Sequence, residues 1–207
     1  RRIDAPPYAA YPLRPGITFT YLGLKIGENA RVLMSDGKPT ANLFASGVGV
    51  AWAFDAQQLL RDDWGVAADV WSVTSWNELR RDGLAADEHN FLHPEAEPKV
   101  AYLTEKLRDT TGPVIAVGDW MHAVADQIRP WVPQRFATLG ADGFGFSDTR
   151  AAARRFFKID GPSLVVRTLQ SLADDGLVDR ALAARAIEKY RLHDVNAGTS
   201  GNAGGES

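Results

Sequence analysis

Short apolar runs alternate with longer segments of helical periodicity through most of this chain. Four of these runs contain almost no polar positions, and they cover residues 41–47, 69–73, 113–117 and 136–140. Strands with this pattern are typical of a parallel sheet that is buried on both sides. The alternation therefore predicts an α/β fold with three layers, in which helices cover both faces of a mostly parallel sheet.

Capping residues and helix breakers set the predicted limits of the helices. Ser75 forms a capping box with Glu78 three residues later, and the helix that it starts is expected to stop at Gly83. Further helices are predicted over residues 50–62, 99–108, 163–173 and 179–190.

Two more helices follow the third and fourth apolar runs. Asp119 is expected to cap a helix over residues 121–128, which ends before Pro130. Ser147 or Asp148 is expected to cap the helix that follows a glycine-rich turn. Each helix would begin at the end of a strand, as βα units require.

The two ends of the chain differ in composition from the part between them. Residues 1–40 are rich in Pro, Gly and Tyr and predict an extended lead-in with at most two strands, over 17–24 and 31–34. Residues 196–207 contain almost no apolar side chains and predict a disordered tail. The predicted organisation is therefore a lead-in over 1–40, one α/β domain over 41–195 and a tail over 196–207.

Composition and charge exclude several classes of protein. The chain has 207 residues, no cysteine and a net charge of −3, with an isoelectric point near 5.8. The missing cysteines exclude disulfides, thiolate zinc sites, iron–sulfur clusters and cysteine nucleophiles. The mild acidity gives no reason to expect nucleic acid as a partner, and no apolar run approaches the length of a membrane span. With no apolar segment near the N-terminus to serve as a secretory signal, a cytoplasmic location is expected.

The glycine-rich turn at residues 140–147 invites comparison with phosphate-binding loops, because it follows a strand and precedes a helix. It lacks the Lys-Ser or Lys-Thr of a P-loop, and its glycines miss the dinucleotide-binding spacing. A turn that packs against another domain is favoured, and a weak anion site at the helix start stays open as the alternative. The candidate residues are Asp142, Gly143, Phe144, Gly145, Ser147 and Arg150.

Other catalytic and metal-binding patterns are incomplete. A thiamine diphosphate motif needs Gly-Asp-Gly and a later Asn, but the chain offers only parts of that triplet around Asp119 and Asp142, with Gln170 at the Asn position. His89 and His93 have the spacing of helical metal ligands, yet Pro94 disfavours helical geometry at His93. No Gly-x-Ser-x-Gly elbow is present.

Tryptophan is the more informative residue type. The chain has six, and several of them flank predicted strand ends and turns. Exposed indole rings mark interfaces, whereas buried ones need a partner for the N–H group. We interpret Trp71, Trp76 and Trp120 as a candidate packing interface.

Several of these segments resemble the C-terminal domain of homodimeric, bacterial-type pyruvate dehydrogenase, in the order in which that family has them. The most specific are residues 68–83 (ADVWSVTSWNELRRDG), 112–121 (GPVIAVGDWM) and 139–150 (LGADGFGFSDTR). Residues 92–94 and 127–133 match as well, and the resemblance covers about residues 41–195.

The resemblance implies a transketolase C-terminal-like domain, with a five-stranded, mostly parallel sheet that has one antiparallel strand. It also implies a homodimeric enzyme that holds thiamine diphosphate and magnesium between two other domains and passes an acetyl group to a lipoyl-bearing acyltransferase component. It carries no catalytic, cofactor-binding or metal-binding residue to any position here, so this chain alone is expected to be inactive. The alternative function is a stand-alone α/β module that binds a ligand or docks a partner.

Overall fold

A parallel sheet organises the chain, whose computed structural model describes residues 31–32 and 41–199. The strands are β1 (Arg31–Val32), β2 (Ala41–Ala45), β3 (Ala68–Ser72), β4 (Val114–Val117) and β5 (Phe136–Leu139). They lie in the order β1-β3-β2-β4-β5; β2 to β5 are parallel, and β1 pairs antiparallel with β3 at one edge. The carboxyl ends of four strands therefore meet at one edge of the sheet.

Helices connect the strands and cover both faces of the sheet. The α-helices are α1 (Gly49–Trp64), α2 (Trp76–Leu92), α3 (Tyr102–Leu107), α4 (His122–Asp126), α5 (Arg150–Phe157), α6 (Gly161–Asp174) and α7 (Arg180–Lys189). Two 3-10 helices cover Arg129–Trp131 and Val195–Thr199. No helix in the described part of the chain is both long and apolar enough to cross a membrane.

The sheet separates two hydrophobic cores. On one face Leu43 and Ile115 pack with Leu164 of α6, and on the other Phe44 and Val114 pack with neighbours that include Leu107. All residues of β2 and β4 are buried, which explains why their sequences do not alternate. The predicted α/β class is confirmed: four parallel strands form the sheet, and the fifth strand has only two residues.

The helix predicted to stop at Gly83 instead runs on to Leu92. A Cβ atom on Gly83 would lie 2.3 Å from the ring of Trp131, so glycine is needed there for close packing. The prediction mistook a packing glycine for a helix stop. Ser75 does cap this helix, because its side chain accepts a hydrogen bond from the N–H of Glu78.

The helix predicted over residues 99–108 begins only at Tyr102. Lys99 is held outside it by two hydrogen bonds with Asn90 of α2: the Lys99 N–H donates to Oδ1 at 2.7 Å, and Nδ2 donates to the Lys99 carbonyl at 2.9 Å. Asp82 of the same helix then accepts the N–H of Tyr102 at 2.6 Å. These contacts with α2 set the start of α3.

Two helix caps are formed by other residues than the predicted ones. Thr149 caps α5, whereas Ser147 and Asp148 do not. Asp119 does not cap α4; the N–H of His122 donates instead to Asp142, which lies 20 residues later in the chain. A cap supplied from another loop leaves no local signal in the sequence.

The predicted ends of the chain lie mostly outside the described residues. This holds for residues 1–30, 33–40 and 200–207, and so for the predicted strand over 17–24. Within the predicted tail, Asn196 belongs to the 3-10 helix Val195–Thr199, and its N–H donates to Asp194 at 2.9 Å. Residues 196–199 of the predicted tail therefore have regular structure.

Candidate docking surface

Large apolar side chains are exposed where the loops leave the carboxyl edge of the sheet. Because β2, β4 and β5 are adjacent and parallel, the residues that follow them meet at this edge. Val48 is 54%, Trp120 63% and Met121 59% exposed, and Phe144 is fully exposed. We call Val48, Trp120, Met121 and Phe144 the carboxyl-edge patch. Clustered exposed apolar groups of this kind mark interaction sites.

The loops that carry Trp120 and Phe144 are pressed against each other. The N–H of Ala141 donates to the Trp120 carbonyl at 2.8 Å. A Cβ atom on Gly140 would lie 2.6 Å from the His122 nitrogen and 2.7 Å from the Trp120 oxygen. Only glycine fits this approach of two backbones, so Gly140 is required for the contact between the loops.

Asp142 joins the same two loops through its side chain. Its Oδ1 accepts the N–H of His122 at 3.0 Å, and its Oδ2 lies 2.7 Å from the Nδ1 of His122. The hydrogen bond from the His122 backbone, with a further contribution from the His122 ring, holds the pKa of Asp142 below its usual value. Asp142 therefore stays charged near neutral pH.

Two glycines place Phe144 at the tip of its loop. Gly143 and Gly145 have φ angles of 120° and 98°, which non-glycine residues rarely adopt. The next aromatic residue, Phe146, stacks on Phe156 of α5 with ring centroids 4.3 Å apart and planes 6° apart. This stacking ties the loop to α5 and leaves Phe144 as its projecting side chain.

The start of α5, where an anion site is the alternative, already carries polar side chains. Thr149 Oγ1 accepts the N–H of Ala152 at 3.2 Å, and Asp148 accepts the N–H of Thr149 at 2.7 Å. Ser147 and Arg150 are exposed beside them. A carboxylate at this position disfavours a second anion, and the weak anion site stays a prediction.

Comparison with known proteins gives the family. The family model described as "Transketolase-like TK C-terminal domain" matches residues 30–160. The chain belongs to the transketolase-like C-terminal domain family. The resemblance to bacterial pyruvate dehydrogenase that the sequence shows is confirmed by curated relatives of this transketolase-like domain.

The curated relatives are far longer than this chain. The pyruvate dehydrogenase E1 component of Mycolicibacterium smegmatis is 56% identical over 76% of this chain, and that of Mycobacterium tuberculosis is 54% identical over 76%. The chain spans only 17% of either relative. A split gene transketolase, solved as an inactive beta4 tetramer, aligns with 72% of this chain and 44% of its own at 16% identity and a TM-score of 0.49.

Two of the three tryptophans predicted to form a packing interface are buried in the interior of this transketolase-like domain. Trp71 and Trp76 are each 7% exposed. The indole N–H of Trp71 donates to Asn42 Oδ1 at 3.0 Å, and that of Trp76 donates to Ser46 Oγ at 3.0 Å. Because both N–H groups find acceptors inside the chain, the rings can be buried, and the prediction is wrong for them. Trp120 does lie on the surface.

The side chains considered as cofactor or metal ligands are engaged with other residues of the transketolase-like domain. Both carboxylate oxygens of Asp142 are engaged by His122. His93 lies beyond the end of α2, with its ring centroid 4.7 Å from that of His89. Within residues 31–32 and 41–199, no group of three or more His, Cys, Asp or Glu side chains could hold a metal ion.

Sequence reasoning identified Trp120 and the glycine-rich turn but missed three residues of this surface. Met121 and Val48 were not singled out, and His122 was given only a packing or surface role. All three follow predicted strands within a few residues, and ligand and partner sites of α/β sheets collect at such positions. Position relative to the strand end was therefore the signal that could have found them.

Proposed function

We propose that the chain acts as the C-terminal domain of a thiamine diphosphate-dependent pyruvate dehydrogenase, and that it contributes to the assembly by docking. Its relatives carry the name pyruvate dehydrogenase E1 component, and it spans 17% of the first two. The chemistry would then be carried out by domains that correspond to the rest of those relatives. The chain's own residues pack and dock.

The observation that carries the proposal is the carboxyl-edge patch. Trp, Phe and Met are the residue types enriched at protein interfaces, and exposed aromatic rings are the most frequent energetic anchors there. Burial of apolar surface contributes about 25 cal/mol per Å², so covering Trp120, Met121 and Phe144 together would stabilise a complex substantially.

The direction of β1 supports docking at the same edge. Arg31 pairs with Trp71 and Val32 with Val70, so Arg31 lies nearer the carboxyl edge than Val32. The chain therefore enters β1 from the carboxyl edge, which is the edge that carries the patch.

The proposal carries a set of partners with it. The thiamine-binding domains, in the same or a separate chain, are the partners of the patch. The assembled enzyme would be a cytoplasmic homodimer that uses thiamine diphosphate and magnesium and passes an acetyl group to a lipoyl-bearing acyltransferase component. For the chain alone, calorimetry with thiamine diphosphate and magnesium is expected to detect no binding.

Docking can be tested with a truncated relative. We would mix this chain with the Mycolicibacterium smegmatis E1 component lacking its own matching segment, and measure association by analytical ultracentrifugation and calorimetry. Micromolar association is expected, and Trp120→Ala with Phe144→Ala is expected to weaken it by more than tenfold, because hot-spot aromatics each contribute about 1–2 kcal/mol or more.

A matched control is available at Phe91, which is 83% exposed at the far end of α2. Phe91→Ala is expected to leave association unchanged. The relative's own C-terminal segment serves as the positive control for rebinding. If that segment rebinds and this chain does not, the docking proposal is contradicted and a stand-alone module is favoured.

A further inference from the structure

We infer that His122 and Asp142 act as a clamp that sets the spacing of the docking side chains, an inference that rests on the proposed function. His122 directly follows Met121 and lies two residues after Trp120, and Asp142 lies two residues before Phe144. The clamp thus joins the two loops at the point between their exposed aromatic rings.

The clamp restrains the two loops in addition to their backbone hydrogen bonds. Backbone hydrogen bonds from Gly118 to the Leu139 carbonyl at 3.3 Å and from Ala141 to the Trp120 carbonyl at 2.8 Å join the two segments where the loops begin. The Met121 side chain, at the cap position of α4, makes no capping hydrogen bond, and Asp142 reaches across to bind the N–H of His122 instead. The second contact, to Nδ1 of His122, restrains the ring as well. The clamp therefore adds a side-chain attachment that lies one residue nearer to Phe144 along the glycine-rich loop than the backbone hydrogen bonds do.

Two other carboxylates near the clamp have partners of their own. Asp126, one turn further along α4, accepts a hydrogen bond from Thr138 Oγ1 at 3.0 Å and lies 3.5 Å from Arg129. These partners hold the Asp126 carboxylate. Asp148, later in the glycine-rich loop, accepts the N–H of the adjacent Thr149. Asp142 is therefore the carboxylate that links His122 to the neighbouring loop.

The exposure of the two clamp side chains indicates that they position the loops rather than stabilise the whole fold. The side chains of His122 and Asp142 are 37% and 60% exposed. Contacts between exposed polar or charged side chains contribute little to the free energy of unfolding. Their effect on the relative position of two exposed rings is direct, and a partner that contacts both rings depends on that position.

The test compares Asp142→Ala and Asp142→Asn with the matched control Asp148→Ala. Amide hydrogen exchange by NMR reports the contact between the loops, and association with the truncated relative reports docking. Asp142→Ala removes both hydrogen bonds to His122, so it is expected to speed exchange at the His122 amide and to weaken docking, each by about tenfold or more. Asp142→Asn keeps an acceptor oxygen and is expected to restore part of both effects.

The control and the melting temperature distinguish positioning from folding. Asp148→Ala is expected to change neither readout, and no variant is expected to lower the melting temperature by more than about 2–4 °C. Unchanged exchange at His122 in Asp142→Ala would overturn the clamp, whether or not the wild-type chain docks. Faster exchange with unchanged docking would overturn its positioning role, and a wild-type chain that fails to dock would overturn the proposed function first.

Discussion

Tryptophan serves opposite purposes in the core and at the carboxyl edge of this domain. Trp71 and Trp76 belong to one hydrophobic core, and their N–H groups donate to Asn42 and Ser46, whereas Trp120 extends from a loop into solvent. All three rings follow or end strands, so the residue type and its place in the chain do not separate them. Each of the two buried rings has a hydrogen-bond acceptor for its indole N–H inside the chain, and this acceptor makes burial possible.

The sharpest test of this contrast replaces one ring of each kind. Trp71→Ala is expected to lower the free energy of unfolding by about 3–5 kcal/mol, because it leaves a cavity in the core and removes the partner of Asn42. Trp120→Ala is expected to change it by less than about 0.5 kcal/mol. Urea unfolding measures both, and equal losses would contradict the assignment of Trp120 to the surface.

A buried and an exposed ion pair provide the same contrast between the core and the surface. Arg155 Nε donates to Asp160 Oδ2 at 2.6 Å, and the Arg155 side chain is 2% exposed, unlike the exposed clamp pair. Arg155→Ala is expected to cost about 3–5 kcal/mol, because it leaves the Asp160 charge buried without its cation. Arg61→Ala, at an exposed pair with Asp62, is the control and is expected to have a much smaller effect. Chemical denaturation would contradict the contrast if both variants lost the same amount.

A smaller effect is expected where α2 crosses Trp131. Gly83→Ala places a methyl group 2.3 Å from the Trp131 ring, and overpacking of this kind costs about 1–3 kcal/mol. In a Trp131→Ala background the clash is gone, and the same substitution is expected to be neutral or stabilising, since alanine favours helix by about 1 kcal/mol over glycine. A double-mutant cycle measured by thermal unfolding checks this, and a cost that persists without Trp131 would contradict it.

The smallest expected effect concerns pH at the carboxyl edge. A carboxyl group whose pKa is lowered on folding stabilises the folded contact above its unfolded pKa of about 3.9 and loses this contribution as pH falls through the folded value. Exchange at the His122 amide is therefore expected to be slow at neutral pH and to quicken below about pH 4, once its intrinsic pH dependence is removed.

His122→Ala provides the companion variant for this titration. It removes the ring but keeps the backbone N–H, which is the larger cause of the lowered pKa. The pKa of Asp142, followed by carboxyl NMR, is expected to rise part of the way to its usual value. A pKa that stays at the wild-type value would contradict the contact between the ring and Asp142.

The sequence predicts the sheet better than it predicts the surface. Apolar runs such as that of β4 are long enough to indicate strands buried on both faces, and local caps such as Ser75 are recognisable. The contacts that decide the site join residues far apart in the chain, as Asp142 joins His122. Gly83 shows the same difficulty, because a glycine that ends a helix and one that admits a neighbouring ring look alike in sequence.

The claim that the carboxyl edge docks the rest of an enzyme is tested most directly by a footprint. Hydrogen–deuterium exchange of this chain, alone and mixed with the truncated Mycolicibacterium smegmatis E1 component, maps the residues that the partner covers. Protection is predicted over residues 118–122 and 140–146, with no change at the exposed end of α2 around Phe91. Protection confined to the end of α2, with the carboxyl-edge patch unchanged in a complex that forms, would contradict the account.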